Sequence, residues 1–266
     1  MPTGAGAGVS ETSGGRGRMS LFEDGRPFLA ALPAQDRRAL LALGRGRSYA
    51  PGEVVLREND TTTFVVAIVN GWASVSLETE RGVRLILALR GSGEVVGDQA
   101  AVDHRPRSAT VTALGPVDGV VVPGDRFRGY LAARPVATVL IMRQFSSRLR
   151  SSDGERRSLA SEKVLQRLAA RLTELAERTG TPGSGGVDVD LPLPQHDLAA
   201  AVGSTREAVA KALRLLREQG VVQTGPRRLA VLDLALLRLL AEGRAVGGRT
   251  PAGPVPIRPE QSPPAV

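Results

Sequence analysis

The chain has 266 residues, is 42% hydrophobic and carries a formal net charge of +8, with 35 Lys and Arg against 27 Asp and Glu. This length accommodates two modest domains, each with its own core, and the basic balance favours a polyanionic partner. With no cysteine and two histidines, the composition excludes disulfides and thiolate-ligated clusters and argues against a histidine-built metal site, so no metal is predicted.

The two ends of the chain are of low complexity. Residues 1–19 are rich in Gly and Ser and residues 243–266 in Pro and Gly, and both are predicted to be disordered tails. The N-terminal stretch lacks the apolar core of a signal peptide, and no window has the long uncharged apolar run of a membrane helix. We therefore expect a cytoplasmic protein without membrane contact.

Short apolar runs separated by turn residues dominate the N-terminal half. Residues 26–43 first show a short helical pattern of leucines, and from Ser48 to Val122 the pattern becomes β, with turns such as Pro51-Gly52 and Asn70-Gly71. Many short strands at regular spacing predict an antiparallel barrel or jelly roll. The predicted strands are 54–56, 64–69, 73–77, 83–89, 109–114 and 117–122.

The pattern is helical from Pro135 onward. Apolar residues at three- and four-residue steps predict a long helix that pairs with its copy in a homodimer. Gly154, within this helix, costs about 1 kcal/mol relative to alanine, so 151–157 is expected to be a soft region. A second helix is predicted over Glu162–Arg178, with a hinge at Leu159–Lys163 and a Gly/Pro loop at 180–186. The expected dimer seam consists of Val139, Met142, Phe145 and Leu149.

The stretch Gln195–Leu216 has the spacing of a helix-turn-helix. Leu198, Val202 and Val209 are apolar where two short helices bury each other, and Gly203 lies at the turn, where a positive φ is usually needed. An ordinary helical hairpin is the alternative, but the small, turn and cap positions together favour the helix-turn-helix. Two further β runs, 221–223 and 229–232, predict the wing of a winged helix.

Three long polar side chains, Arg206, Glu207 and Lys211, share the exposed edge of the second helix. A polar edge opposite an apolar face is typical of a recognition helix in the DNA major groove. Arg206 can bond the O6/N7 edge of guanine, and Glu207 can accept from the N4 amine of cytosine. The residues expected to contact phosphates are His196, Ser204 and Thr205, of which the last two can also cap the helix.

This order of segments resembles the bacterial regulator superfamily of the cyclic-AMP receptor protein and the fumarate–nitrate regulator. Three stretches carry the resemblance: YAPGEVVLRENDTTTFVVAIVNGWASVSL (49–77), GDQAAVDHRPRSATVTAL (97–114) and, most specifically, STREAVAKALRLLREQGVV (204–222). The fold class that it implies is α+β. An N-terminal antiparallel β-roll of the cyclic-nucleotide-binding type (20–134) would be followed by a dimerisation helix (135–160) and a winged helix-turn-helix domain (161–242).

The resemblance also implies a function. The protein would be a homodimer that binds a palindromic, TGTGA-like DNA operator under the control of a small effector, cyclic AMP or a related cyclic nucleotide, with RNA polymerase as a further partner. By the resemblance, Gly97 would supply the turn, Asp98 the ribose contact, and Arg107 and Ser108 the phosphate contacts. The adenine-contacting pair aligns with Ser152 and Asp153.

Three departures from the family pattern leave alternatives open. Asp98 is shorter than the usual Glu, Asp153 is charged where the family has a neutral hydroxyl residue, and Lys211 replaces an arginine. The cassette could be vestigial, with DNA bound constitutively or under another signal. A cyclic-nucleotide-binding regulatory protein without DNA readout is the alternative of another class. No catalytic constellation stands out, so an enzyme is not expected.

Overall fold

The computed structural model describes residues 20–23, 25–80, 82–183, 185–189, 193, 195–225 and 228–244. The predicted tail 1–19, and the predicted tail 243–266 from residue 245 onward, lie outside these residues. Among the described helices, none combines the length and the apolar character needed to cross a membrane.

A β-roll of two antiparallel sheets forms the N-terminal part. Its strands are β1 (Arg45–Tyr49), β2 (Val54–Leu56), β3 (Val65–Asn70), β4 (Ala73–Glu78), β5 (Arg84–Arg90), β6 (Val95–Val96), β7 (Thr110–Ala113) and β8 (Val117–Val122). Hydrogen bonding orders them as β1-β8-β3-β6 and β2-β7-β4-β5. The sheets do not close into one barrel, so the double-sheet jelly roll is the form adopted.

Helices cover the outer face of the first sheet. They are α1 (Phe28–Ala31), α2 (Ala34–Leu41), α3 (Asp98–Asp103), α4 (Gly124–Ala133) and α5 (Pro135–Ser161). The single helical pattern predicted for 26–43 becomes α1 and α2, because Pro33 disfavours a helical conformation at Leu32, where the chain is extended. Helix α5 continues without a break through 151–157.

Strand β3 shows how period-2 side-chain alternation builds two cores. Val66 and Ile68 pack into the cluster between the sheets, together with Leu56 of β2. Val65 and Ala67 point the other way, into the cluster formed with α1, α2, α4 and α5. Since both faces of β3 are buried, this strand fixes the sheet between its partner sheet and the helices.

The C-terminal part is a winged helix-turn-helix domain. Its elements are α6 (Val164–Thr179), β9 (Gly180–Gly183), β10 (Gly186–Val189), α7 (Gln195–Val202), α8 (Arg206–Glu218), β11 (Val222–Gly225), β12 (Arg228–Val231) and α9 (Leu234–Ala241). The loop prediction for 180–186 is wrong, since Gly180–Gly183 is an edge strand paired with β10, which pairs in turn with β12. An edge position tolerates Pro182, which made the segment resemble a loop.

The two parts of the chain share a core. Ile86 and Leu89 of β5 belong to the same buried cluster as Leu172 of α6 and Leu198 of α7. Residues 20–23, here called the N-terminal strap, contribute Leu21 and Phe22 to that cluster. The amide of Leu89 donates to the Leu21 carbonyl at 2.7 Å, and Arg84 of β5 forms a 3.0 Å ion pair with Asp197 of α7.

Candidate functional site

A cavity of about 300 Å³ lies where the β-roll meets α5 and the N-terminal strap. This volume falls at the lower end of the range for small-molecule pockets. Five of the residues predicted to bind an effector line it: Gly97, Asp98, Arg107, Ser108 and Ser152. The fold therefore brings together side chains that are up to 55 positions apart, from 97 to 152, in the sequence.

Gly97 begins the cassette in a conformation that favours glycine. Its φ is +83°, and it is the N-cap residue of α3. A Cβ at this position would lie 2.6 Å from Nη1 of Arg107 and 3.0 Å from the carbonyl oxygen of Phe64. Neither the backbone conformation nor the space admits a side chain, so the predicted turn role of Gly97 has a geometric basis.

Arg107 is buried and bonded to the backbone around it. Its Nη1 donates to the Gly97 carbonyl at 2.8 Å, its Nη2 to the Phe64 carbonyl at 2.6 Å, and its Nε to the Thr62 hydroxyl at 3.3 Å. Desolvation lowers the pKa of Arg107, although a guanidinium stays protonated in proteins. These contacts with described residues use three of the five guanidinium N–H donors, so two remain for a ligand.

Asp98 belongs to a buried charged cluster. Nη1 of Arg148, on α5, donates to both oxygens of Asp98 at 2.9 and 2.8 Å. Nε of Arg148 bonds Glu23 of the strap at 2.5 Å, and Glu23 also pairs with Arg90 at 3.2 Å. Burial by itself would lower the pKa of Arg148, but Asp98 and Glu23 together raise it above its ordinary value.

Three members of this cluster, Glu23, Arg90 and Arg148, were not predicted from the sequence. A signal existed for Arg148, because it precedes Ser152 by four residues and therefore lies on the same face of α5. Arg90 lies just after the predicted strand 83–89, and Glu23 lies in a segment without periodicity. Only the tertiary contacts identify these last two.

The other residues predicted to bind an effector, Ser108, Ser152 and Asp153, lie nearer the surface than Arg107 and Asp98. The Ser108 hydroxyl donates to the Gln99 side chain at 2.9 Å and is exposed. Ser152 is exposed at the cavity. Asp153 does not line the cavity of its own chain, and its carboxylate lies 3.7 Å from Arg156 of the same helix. The described residues contain no His, Cys, Asp and Glu cluster suited to a metal ion.

The helix-turn-helix geometry places the predicted DNA-reading residues on the surface. Gly203 has a φ of +61° at the turn, and the Thr205 hydroxyl accepts from the Ala208 amide at 3.2 Å as the N-cap of α8. Ser204 is half-buried beside it. Arg206, Glu207 and Lys211 are exposed. The His196 side chain lies outside the described part of the structure.

Hydrogen bonds at the start of α8 also act on Glu207. Its own backbone amide and the Thr205 hydroxyl lower the pKa of the Glu207 carboxyl below its ordinary value. The group is therefore an anion at neutral pH, with lone pairs to accept hydrogen bonds. An anionic Glu207 next to a cationic Arg206 offers both an acceptor and a donor to base edges.

Two buried arginines of α6 donate hydrogen bonds to the backbone carbonyls at the turn between α7 and α8. Arg167 donates from Nε to the Val202 carbonyl at 3.0 Å and from Nη2 to the Gly203 carbonyl at 3.3 Å. Arg171 donates from Nε to the Ala201 carbonyl at 2.9 Å. The last carbonyls of a helix lack intrahelical partners, and here buried guanidinium groups supply them. Neither arginine was predicted from the sequence.

Comparisons with known proteins agree with this architecture. Residues 46–134 match the family described as cyclic nucleotide-binding domain, and residues 166–240 match the family described as Crp-like helix-turn-helix domain. The two matches cover the β-roll and the C-terminal domain in the predicted order.

Curated relatives and solved structures are similar over most of the chain. A CRP-like cAMP-activated global transcriptional regulator of Mycobacterium tuberculosis is 27% identical over 185 residues, covering 70% of this chain and 83% of that protein. The cyclic AMP receptor protein of Thermus thermophilus is 26% identical over 221 residues, covering 83% and 99%. The structure of a CRP/FNR-family transcriptional regulator from Thermus thermophilus aligns with a TM-score of 0.61 at 26% identity, covering 76% and 100%.

A cyclic-nucleotide-binding-type roll, a long connecting helix and a Crp-like helix-turn-helix thus follow one another in a single chain with relatives of the same architecture. The chain belongs to the Crp/Fnr superfamily of transcription regulators.

Proposed function

We propose that this regulator is a homodimer that binds a palindromic operator under the control of a cyclic nucleotide, with cyclic AMP as the first candidate. The cavity lined by Gly97, Arg107, Ser108 and Ser152 carries the proposal, because it offers a cation, hydroxyl groups and sufficient volume in one place. The cyclic-AMP names of two relatives support this choice of nucleotide.

The roles of the residues follow from their free hydrogen-bonding capacity. Arg107 binds the phosphate through its two remaining N–H donors in charge-assisted bonds, and Ser108 adds a hydroxyl. Asp98 accepts from the ribose hydroxyl, since an ionised carboxylate has about four lone-pair sites and the Nη1 group of Arg148 occupies only part of them. Ser152 contacts the base. Asp153 is the second proposed base contact, from a position just outside the cavity of its own chain.

The dimer forms along α5. Met142 and Leu149 are each 64% exposed in the single chain, and Val139 is also exposed. Phe145, the fourth residue of the predicted seam, packs in part against the helices of the β-roll. Large apolar side chains exposed along one helix indicate a surface that a second chain covers.

DNA is read by α8 of each protomer. Arg206, Glu207 and Lys211 contact base edges in the major groove, and Ser204, Thr205 and His196 contact phosphates. The lysine cannot form the planar fork of an arginine, so preference at its base pair is relaxed. RNA polymerase is the proposed further partner and the cytoplasm the proposed location, both on the basis of family membership.

Calorimetric titration of the protein with cyclic AMP, and with cyclic GMP as the control nucleotide, tests the effector. We expect micromolar or tighter affinity for cyclic AMP, lost in Arg107→Ala and weakened about tenfold in Ser108→Ala. Ser146→Ala removes a hydroxyl from the exposed face of α5, outside the cavity, and should bind like the unmodified protein. Circular dichroism tests whether Arg107→Ala, which loses three internal hydrogen bonds, is still folded.

A second candidate function has one observation in its favour. The polar groups of Arg107 and Asp98 are already bonded within the protein, as expected of a regulator whose cavity binds no cyclic nucleotide. Absence of heat with both nucleotides, together with specific operator binding in fluorescence anisotropy, would establish this alternative.

A further inference from the structure

Arg171 of α6 is a fully buried cation, with no exposed surface. A buried guanidinium is stable only when it is paired and hydrogen-bonded. Two carboxylates approach it at 3.4 Å, Glu155 on α5 at Nη2 and Glu174 on α6 at Nη1. Its Nε donates to the Ala201 carbonyl at 2.9 Å. Arg171 therefore connects three segments of the molecule.

One of these segments is the turn of the helix-turn-helix. Ala201 is the penultimate residue of α7, and the turn at Gly203 leads directly to Thr205, the N-cap of α8. Neighbouring Arg167 holds the next two carbonyls but contacts the α5–α6 hinge, through the Glu162 carbonyl at 2.7 Å. Of the two arginines, Arg171 is the one whose other contacts lead to the cavity.

The cavity is reached along two routes. Glu155 itself lines the cavity, three residues after Ser152 on the same face of α5. Glu174 accepts from the amides of Leu21 and Phe22, at 3.0 and 3.3 Å, and the strap that contains them also lines the cavity. Two walls of the cavity therefore meet at one guanidinium.

The lengths of these contacts leave room for change. Charge-assisted N–H···O bonds are ordinarily about 2.7–2.9 Å long, whereas both carboxylates stand at 3.4 Å from Arg171. A ligand that presses on Glu155 or the strap can shorten these contacts and strengthen them. A difference in interaction energy between two states is what coupling between sites requires.

We propose that Arg171 is the positioning residue that couples the cavity to the DNA-reading turn, along the path Glu155–Arg171–Ala201. The choice of cyclic AMP as ligand rests on the proposed function, but the path itself depends only on these contacts. Occupancy of the cavity tightens the hold of Arg171 on the end of α7 and fixes the orientation of α8.

The test uses Glu155→Gln, which keeps the shape of the side chain and removes its charge. The matched control is Glu177→Gln on α6, which removes a carboxylate paired with Arg238 of α9 at 2.7 Å, away from the cavity. Operator affinity is measured by fluorescence anisotropy without and with saturating cyclic AMP, and the ratio of the two affinities is the coupling. Saturation removes any effect of Glu155 on ligand affinity.

We expect the coupling to fall about tenfold in Glu155→Gln and to stay unchanged in Glu177→Gln. Glu155→Asp keeps the charge but retracts it by one methylene, so it should lose part of the coupling. This variant replaces Glu155→Gln in the test if Glu155→Gln does not fold. A role confined to stability would lower both affinities equally and leave their ratio unchanged. An unchanged ratio in Glu155→Gln overturns the proposal.

Hydrogen exchange separates this proposal from the choice of effector. If calorimetry shows no cyclic AMP binding to the unmodified protein, the proposed function fails. The path Glu155–Arg171–Ala201 is then tested by comparing amide exchange rates in the ligand-free variants. Amides 199–205 should then exchange about tenfold faster in Glu155→Gln than in Glu177→Gln, because the turn has lost its restraint. Equal exchange in the two variants overturns the path.

Discussion

Arg148 is the side chain on which the charge balance of the cavity depends. It forms ion pairs with both Asp98 and Glu23, and the side chains of these two acids are only 3% and 9% exposed. Removing one member of a buried ion pair is costly, because the remaining charge stays desolvated. Without Arg148, Glu23 would keep Arg90 as its ion-pair partner at 3.2 Å. Asp98 is therefore the acid that would lose its partner.

Arg148→Met should therefore lower the free energy of unfolding by about 3–5 kcal/mol. Urea denaturation followed by circular dichroism measures this change. Arg150→Met, on the exposed face of the same helix, loses only a hydrogen bond to Ser146 and should cost about 0.5 kcal/mol or less. Equal losses in the two variants would mean that the buried cluster adds nothing to stability.

At the scale of elements, the recognition helix α8 depends on its first turn. Its buried face, with Val209 and Leu216, was predicted from the apolar pattern and is buried as expected. Its start was predicted with two candidate caps, and the structure assigns the cap to Thr205, whose hydroxyl accepts from the Ala208 amide. The sequence could not choose between Ser204 and Thr205, because both residue types cap well.

Thr205→Ala should cost about 1 kcal/mol of stability, because one amide at the start of α8 loses its acceptor. Thermal unfolding monitored by circular dichroism measures the loss. Thr205→Ser retains the hydroxyl and should unfold near the temperature of the unmodified protein. The assignment of Thr205 as the cap is wrong if Ser204→Ala costs more than Thr205→Ala.

For the whole molecule, the proposed dimer depends on the exposed apolar residues of α5. The periodic pattern predicted the helix and a seam of four residues, of which Val139, Met142 and Leu149 are exposed, as the proposed dimer surface requires. The sequence could not show that Phe145 also packs against the helices of the β-roll. A 3.6-residue period marks an apolar face without identifying what covers it.

Met142→Asp should convert the dimer to a monomer, since it places two charges in the apolar seam. Sedimentation equilibrium measures the molecular mass in solution. Operator affinity should also fall, because a monomer cannot bind both half-sites of the operator at once. Arg143→Gln, next to it on an exposed position, lowers the net charge of each chain by the same one unit and controls for the change of charge. A Met142→Asp protein that remains dimeric would place the seam elsewhere.

The order of the parts could be read from the residues alone, because turn spacing, helical period and cap residues are local signals. The sequence predicted six of the eight described β-roll strands, missing β1 and β6, and it predicted the long helix, the helix-turn-helix and the wing, together with five residues that line the cavity. Local signals failed at 180–183, where Gly and Pro conceal an edge strand whose existence depends on its partner β10.

Which buried charges meet could be seen only in the folded chain. Glu23, Arg90 and Arg148 join Asp98 across up to 125 residues, from 23 to 148, and Arg171 joins Glu155 to the carbonyl of Ala201. Apart from the helical spacing of Arg148 and Ser152, no local pattern marks such partners, because an arginine in a sequence rich in arginine has the same signature whether it is solvated or buried. Burial forces these charges to pair, and burial is a property of the folded chain alone.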